Sequence, residues 1–308
     1  CGMNGNSIND IFVDDEERIW LANYPIGITI QNNRYTGYKW IKHSIGNKQS
    51  LINDQVNAII EDREGDLWFA TNNGISFFNS KTGQWRSVLS AFEESQGNKS
   101  HIFLTVCEVA PGIIWAGGYS SGAYQIDKKT FSVSYFMPPL YTHSNKRPDK
   151  YIRDIRTDMQ GYIWSGGFYN LKCFDLSLNS VRLYPGINSV TAITEKDDGH
   201  MWIGTSAGLY LLDKESGRFQ YVALQEEMTY INTLYQAEDL SLYRNKRLRS
   251  GCLQRKGQYV QALSQGQLCL DFKQHLHHTP RVGRAYPDEY RKRNQLFPPY
   301  GEDIPQLD

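Results

Sequence analysis

The chain has 308 residues, and its 33 lysine and arginine residues balance 33 aspartate and glutamate residues, so the formal net charge is +0. Hydrophobic residues make up 40% of the sequence, which is enough for the core of one large domain. No run of eighteen apolar residues occurs, which excludes a membrane-spanning helix within these residues. We interpret the chain as a fragment, and we expect any membrane contact to be made by segments outside it.

One sequence pattern occurs five times. Each copy has an apolar alternation, an acidic or glycine-containing turn, a short strand with a tryptophan, and then small residues and a second turn. The tryptophans are 48, 47, 49 and 38 residues apart, a period that indicates a solenoid, a propeller or an array. They are Trp20, Trp68, Trp115, Trp164 and Trp202.

Each copy has the pattern of four short antiparallel strands. In the fifth copy, apolar alternation predicts strands at residues 190–193, 201–205, 209–213 and 218–222, separated by turns rich in Gly, Asp and Ser. Four such strands without helical periodicity are typical of a propeller blade, and a blade is stable only beside its neighbours. The recurrent tryptophan is best interpreted as a core residue that fills the gap between blades.

The fold class that follows is all-β. We predict an incomplete propeller of four-stranded antiparallel blades, with five blades and the start of a sixth in residues 1–239 and an irregular tail in residues 240–308. The sixth copy begins at Tyr230, but the turn glycine expected after Asp239 is replaced by Leu240.

The tail differs from the repeats in composition. Residues 240–308 contain 12 Lys+Arg and 6 Asp+Glu, which leaves 21 and 27 in residues 1–239. Read one nucleotide later, residues 243–246 can encode Ile-Gly-Thr, the end of a blade's tryptophan strand. The same displaced frame lets residues 267–278 resemble residues 50–59, and residues 288–297 resemble residues 69–78. Our hypothesis is that the reading frame changes at about residue 240, so that the tail is not a native domain.

Two patterns in the tail have the residue types of a functional site. His275, His277 and His278 have the spacing of metal ligands, and residues 244–256 form a basic segment of the kind that binds nucleic acid. Because of the frame hypothesis, we predict neither a metal site nor nucleic-acid binding from them.

The blade motif resembles the two-component regulator propeller repeat, most clearly at residues 66–75 and 201–209. Proteins of this kind are the periplasmic sensor regions of hybrid histidine kinases in Bacteroides-like bacteria, where they respond to breakdown products of glycans. The resemblance implies a periplasmic propeller that senses an oligosaccharide, beside a second propeller and a homodimer partner. It also implies that the kinase lies elsewhere, since this chain has no phosphoacceptor helix or nucleotide-binding lid.

The residue four positions after each tryptophan is a candidate for ligand contact. These positions fall on one rim of the predicted propeller, where aromatic side chains could stack on the apolar faces of sugar rings. Packing against a neighbouring loop is the alternative. The residues at this position are Tyr24, Asn72, Tyr119, Phe168 and Ser206. The predicted ligand-binding residues are Tyr24, Asn72, Tyr119, Phe168 and Tyr169, which lies beside Phe168.

No catalytic constellation is evident, so we predict recognition without catalysis, cofactor or metal. The acidic residues that a glycosidase would need occur at the same hairpin turn in successive copies, where turn formation explains them. Two alternatives stay open: a carbohydrate-active hydrolase or lyase with this fold, and a passive scaffold for protein interactions.

Overall fold

The structure is a computed structural model that describes residues 7–14, 18–31, 38–89, 101–120, 122–136, 150–222, 230–236, 240–245, 250–254 and 259–263. All of its regular secondary structure in these ranges is β-strand. The strands form four-stranded antiparallel sheets in which neighbours in sequence are neighbours in space. Five such sheets arranged as propeller blades confirm the predicted fold class.

Blades 1 to 3 contain the first twelve strands. Blade 1 consists of β1 (Ser7–Val13), β2 (Ile19–Tyr24), β3 (Gly27–Gln31) and β4 (Tyr38–Ile41). Blade 2 consists of β5 (Val56–Glu61), β6 (Leu67–Thr71), β7 (Gly74–Phe78) and β8 (Trp85–Val88). Blade 3 consists of β9 (Phe103–Ala110), β10 (Ile113–Gly118), β11 (Ala123–Asp127) and β12 (Val133–Phe136).

Blades 4 and 5 repeat this arrangement. Blade 4 consists of β13 (Ile152–Thr157), β14 (Ile163–Gly167), β15 (Leu171–Asp175) and β16 (Ser180–Tyr184). Blade 5 consists of β17 (Val190–Asp197), β18 (His200–Thr205), β19 (Gly208–Asp213) and β20 (Phe219–Val222).

A sixth sheet follows blade 5. The sequence predicts only the start of a blade here, but β21 (Ile231–Gln236) pairs with β22 (Leu240–Asn245), and β23 (Ser250–Gln254) and β24 (Tyr259–Leu263) complete four strands. Antiparallel pairing uses backbone N–H and C=O groups, so it does not require the side chains of the repeat motif. The division of the chain at residue 239 and the change of reading frame stay predictions.

The core lies between the blades. The five repeat tryptophans are between 0% and 7% exposed. Each belongs to a different cluster of buried apolar side chains, and each cluster also includes residues of the following blade. The residue two positions after each tryptophan is Ala or Gly. A Cβ on Gly166 would lie 2.3 Å from Cγ1 of Val190, which is on the next blade. Close contact between blades therefore requires a small residue at this position.

Each first strand has a register shift, a β-bulge, where it lines the centre of the ring. The residue that the bulge leaves unpaired directly follows an aliphatic or aromatic residue of the strand. The bulged residues are Asn9, Asn57, Leu104, Arg153, Thr191 and Asn232.

Candidate ligand-binding face

The alternating direction of the strands gives the propeller two distinct faces. The turn between the second and third strand of every blade lies on the same face as the connection to the next blade. We call this the ligand face, because all five predicted contact residues lie there. The first hairpin turn of every blade lies on the opposite face, which we call the hairpin face.

Three aromatic side chains of blades 3 and 4 contact one another on the ligand face. The rings of Tyr151 and Phe168 stack with centroids 3.9 Å apart and planes 17° apart, and Tyr119 meets Tyr151 edge-on at 5.5 Å. Tyr119 is 53% exposed and Phe168 is 49% exposed. The group, which we call the aromatic platform, therefore presents ring surface to solvent.

The other predicted residues lie apart from this platform or have different surroundings. Tyr24 is exposed on blade 1, two blades from Tyr119. Asn72 lies in a hydrogen-bonded chain, accepting from Nδ2 of Asn57 at 2.8 Å and donating to Oε1 of Gln55 at 2.6 Å. Tyr169 is 67% exposed and follows Phe168 directly, so it lies at the margin of the platform.

Sequence reasoning missed Tyr151. This residue directly precedes β13, so it does not occupy the position four residues after a tryptophan. The connections between blades end on the same face as the turns that carry Tyr119 and Phe168. A search of the residue just before each first strand would have brought Tyr151 into consideration.

A polar pocket lies at the centre of the ring beside this face. Its walls come from the first strands of all six sheets, and they include the bulged residues and the residues that follow them. Several of these side chains bind the backbone of the next blade. Nδ2 of Asn9 donates to the carbonyl of Val56, and Nδ2 of Asn57 donates to the carbonyl of Phe103. Thr191 donates in the same way to the carbonyl of Ile231.

Two carboxylates in the pocket also join neighbouring blades. Oδ2 of Asp10 accepts the N–H of Ile59 at 2.7 Å, and Oδ2 of Asp154 accepts the N–H of Ile193 at 2.7 Å. Burial raises the pKa of Asp10 from 3.8 to about 6, although the charge of Arg156 and the N–H donors oppose the shift. Each carboxylate thus has a structural role at a blade junction.

The hairpin face carries a different set of polar contacts, which hold the buried indoles. The Nε1–H of Trp68 donates to Oδ2 of Asp62 at 2.8 Å, and the same bond joins Trp164 to Asp158 at 2.8 Å. Trp20 donates likewise to Asp14 at 2.7 Å. The hairpin-turn aspartates therefore do more than form turns, because they also satisfy the one polar group of the core residue.

Blades 3 and 5 depart from this arrangement. Val109 occupies the position of the aspartate in blade 3, and the indole of Trp115 donates instead to Oε1 of Gln125 at 3.2 Å. In blade 5 the position is Lys196, whose Nζ lies 5.9 Å from the ring centroid of Trp202. The buried indole is thus accompanied by an aspartate, a glutamine or a lysine in different blades.

Two absences bear on chemistry in the described part of the chain. No group of three or more His, Cys, Asp or Glu side chains there could hold a metal ion. No helix within it has the length and hydrophobicity of a membrane span. His275, His277 and His278 lie outside the described residues, and for the basic segment 244–256 only parts of the backbone are described.

A protein-family model matches two of the five tryptophan repeats. The family model of the two component regulator propeller matches residues 50–73 and 185–207, which cover the second and fifth tryptophan repeats as far as the start of the following strand. Two segments of the chain therefore match the two-component regulator propeller repeat. The predicted resemblance is confirmed. A comparison with curated proteins finds no significant match.

Solved structures with the same fold include extracellular domains of bacterial regulators. One, from BT3049 of B. thetaiotaomicron, is described as part of a hybrid two component system and superposes with a TM-score of 0.67 at 16% identity. It matches 86% of this chain and 42% of its own. The extracellular domain of BT4673 from the same organism, described as a one component system, gives 0.67 at 17% identity, over 85% of this chain and 37% of its own.

The fold alone is also found in an unrelated setting. A chain of the mitotic checkpoint complex superposes with a TM-score of 0.62 at 8% identity, over 83% of this chain and 77% of its own. The present chain spans less than half the length of the two bacterial extracellular domains. The fold is thus shared by proteins of different function, whereas the match to the repeat model is confined to residues 50–73 and 185–207.

Proposed function

We propose that this propeller is the ligand-recognition part of a two-component sensor, located in the periplasm, and that it binds an oligosaccharide on the ligand face without catalysis. The observation that carries the proposal is the aromatic platform, an exposed group of three rings in a chain with two-component regulator propeller repeats. Aromatic ring faces bind the apolar faces of sugars, and the polar pocket beside them offers hydrogen-bonding groups.

In this account, ligand binding would change the preference between two arrangements of the propeller and its partners. A second propeller and a homodimer partner of the full-length protein are the partners that we propose. A ligand that contacts only one arrangement shifts the equilibrium toward it, and the difference in affinity sets the size of the shift. The chain itself needs only to bind.

The carboxylates of the pocket favour binding over hydrolysis. A glycosidase needs one carboxyl group that donates a proton and a second that attacks or activates water. Asp10 and Asp154 each hold a backbone N–H of the next blade, so a substrate would have to compete with the blade junction for them. Hydrolysis and a passive scaffold stay alternatives that experiment separates from sensing.

The proposal is tested by titrating the 308-residue chain with a panel of oligosaccharides in a calorimeter. Saturable binding without release of sugar supports it. Tyr119→Ala and Phe168→Ala should each weaken binding by about five- to thirtyfold, because loss of a stacked ring removes roughly 1–2 kcal/mol. Tyr162→Ala is the matched control, since this exposed tyrosine belongs to blade 4 but lies on the hairpin face.

Three results would contradict the proposal. Sugar release by the purified chain would favour the hydrolase, and absence of binding to every oligosaccharide would favour the scaffold. If the platform variants lose thermal stability but bind as the wild type does, the three rings have only a packing role.

A further inference from the structure

Arg153 departs from the structural pattern of the bulged residues. At this position Asn9, Asn57 and Thr191 use short polar side chains to bind a carbonyl of the next blade. Blade 4 has a long cationic side chain instead. Blade 3 has Leu104 here, which cannot make such a bond. The structure records no hydrogen bond or ion pair of Arg153 with the residues it describes, so this guanidinium does not make the contact to the next blade that Asn9, Asn57 and Thr191 make.

The side chain of Arg153 lines the central pocket and is only partly exposed there. A guanidinium has five N–H donors in a planar fork that matches a carboxylate or a sulfate. An arginine that lines a pocket and has no polar partner among the described side chains is therefore suited to an anionic group of a ligand.

The position of Arg153 connects it with the aromatic platform. Arg153 lies two residues after Tyr151, a separation of roughly 6–7 Å along an extended chain. A sugar ring that stacks on the platform would thus place its substituents within reach of Arg153.

The other charged groups of the pocket are already paired. Nε of Arg156 lies 3.2 Å from Oδ1 of Asp154, and Asp154 also accepts the N–H of Ile155 at 3.0 Å. Asp10 accepts the N–H groups of Ile11 and Ile59. Arg153 is consequently the charged side chain of the described pocket for which the structure records neither an ion pair nor a hydrogen bond.

We infer that the ligand of this site is an acidic oligosaccharide, with a uronate carboxylate or a sulfate bound by Arg153 while the sugar ring stacks on Tyr151 and Phe168. The inference rests on the proposed function and adds the chemical class of the ligand. Arg153 determines specificity in this arrangement, because a neutral sugar would leave its charge without a partner.

The test compares pairs of probes in which one member is acidic and the other is neutral. The chain is titrated with oligogalacturonate and its fully methyl-esterified form, and with a sulfated galacto-oligosaccharide and its desulfated form. We expect an acidic member to bind at least about tenfold more tightly than its neutral counterpart, since hydrogen bonds to charged groups contribute roughly 1.5–3 kcal/mol. Raising the salt concentration should lower the affinity for the acidic probe and leave the affinity for the neutral probe unchanged.

Arg153→Gln should remove most of the preference for the acidic probe. Arg182→Gln is the matched control, because Arg182 is an exposed arginine of the same blade that donates to the carbonyl of Lys214 on the hairpin face. Circular-dichroism melts of both variants show whether they are folded. Lost discrimination with an unchanged melting temperature is the result that we expect for Arg153→Gln.

The outcomes separate this inference from the function on which it rests. Equal binding of acidic and neutral probes, or an unchanged preference in Arg153→Gln, overturns the inference but leaves oligosaccharide recognition in place if Phe168→Ala still weakens binding. A wild-type chain that binds no member of any pair overturns the inference, and the broader oligosaccharide panel then decides the proposed function.

Discussion

The Nζ of Lys128 lies 2.7 Å from Oδ2 of Asp62, although the lysine belongs to blade 3 and the aspartate to the first hairpin of blade 2. The same ammonium lies 2.8 Å from Asp66 and 2.9 Å from Glu64. Burial opposes the charge of Lys128, but these carboxylates outweigh burial and raise its pKa. One cation thus joins two blades that backbone pairing does not connect.

The junction between blades 4 and 5 has the same design, since Nζ of Lys214 lies 3.1 Å from Oδ2 of Asp158. Between blades 3 and 4 both partners change together. Val109 replaces the aspartate and Leu176 replaces the lysine, and both belong to one apolar cluster. The pairing of residue types across blades therefore explains a departure from the repeat that looks irregular within a single blade.

Lys128→Met should destabilise the protein strongly. The substitution leaves the buried carboxylates of Asp62 and Asp66 without their cation, and breaking a buried ion pair from one side costs about 3–5 kcal/mol. Urea unfolding followed by tryptophan fluorescence measures the loss. Lys129→Met is the control, because Lys129 is exposed beside it. Equal stability of the two variants would show that the ion pairs do not hold the blades together.

Gly166→Ala should also destabilise the protein, but for a steric reason. The new methyl group would overlap Val190 of the next blade, and overpacking of this kind costs typically 1–3 kcal/mol. Gly199→Ala adds the same group at a hairpin where the nearest atom is 3.8 Å away. Thermal melts should separate the two variants by several degrees. Identical melting temperatures would mean that the blades are farther apart than the structure places them.

Asp10 should make stability depend on pH. Its pKa is about 6 in the folded protein and 3.8 ordinarily, so the folded state binds more protons than the unfolded state between these values. The contribution of Asp10 to the free energy of unfolding must then fall as pH rises from 4 to 6 and stay low above 6.

Asp10→Asn isolates this effect, since the amide resembles the protonated acid. Urea unfolding at pH 4, 5, 6 and 7 should show the variant gaining stability relative to the wild type as pH rises. Asp198→Asn, on an exposed turn, provides the control. A difference between wild type and Asp10→Asn that does not change over this range would contradict the role of burial.

The change of reading frame is tested on the gene and on the protein. We expect the DNA to show a two-nucleotide loss or a one-nucleotide gain in the glycine codon after Asp239, when compared with an independent read. Mass spectrometry of the protein purified from its own cells should then find peptides of the displaced frame. A clean open frame with tail peptides as printed would refute the hypothesis.

Much of the fold could be predicted because the repeat carries its own strand and turn signals. The glycine turns and the tryptophan strands predict four strands per blade and buried indoles. The ion pairs between blades could not be predicted, because Lys128 and Asp62 are far apart in sequence and their contact depends on how adjacent blades stack. The repeat motif also did not predict the complete sixth sheet, since its later strands lack the motif and pair through backbone groups.

The candidate site was accessible to sequence reasoning only in part. The position after each tryptophan strand identifies Tyr119 and Phe168 on one face, but Tyr151 joins them through the connection between blades. Arg153 becomes distinctive only when the bulges are known, because a bulge decides which side chain of the first strand meets the centre of the ring.

The most direct test of the central claim is calorimetric titration of the chain with the oligosaccharide panel, with parallel assay of released sugar. The account predicts saturable binding to at least one oligosaccharide, about five- to thirtyfold weaker binding in Phe168→Ala, and no turnover. Turnover of any sugar, or binding that is indifferent to loss of the platform, would contradict it.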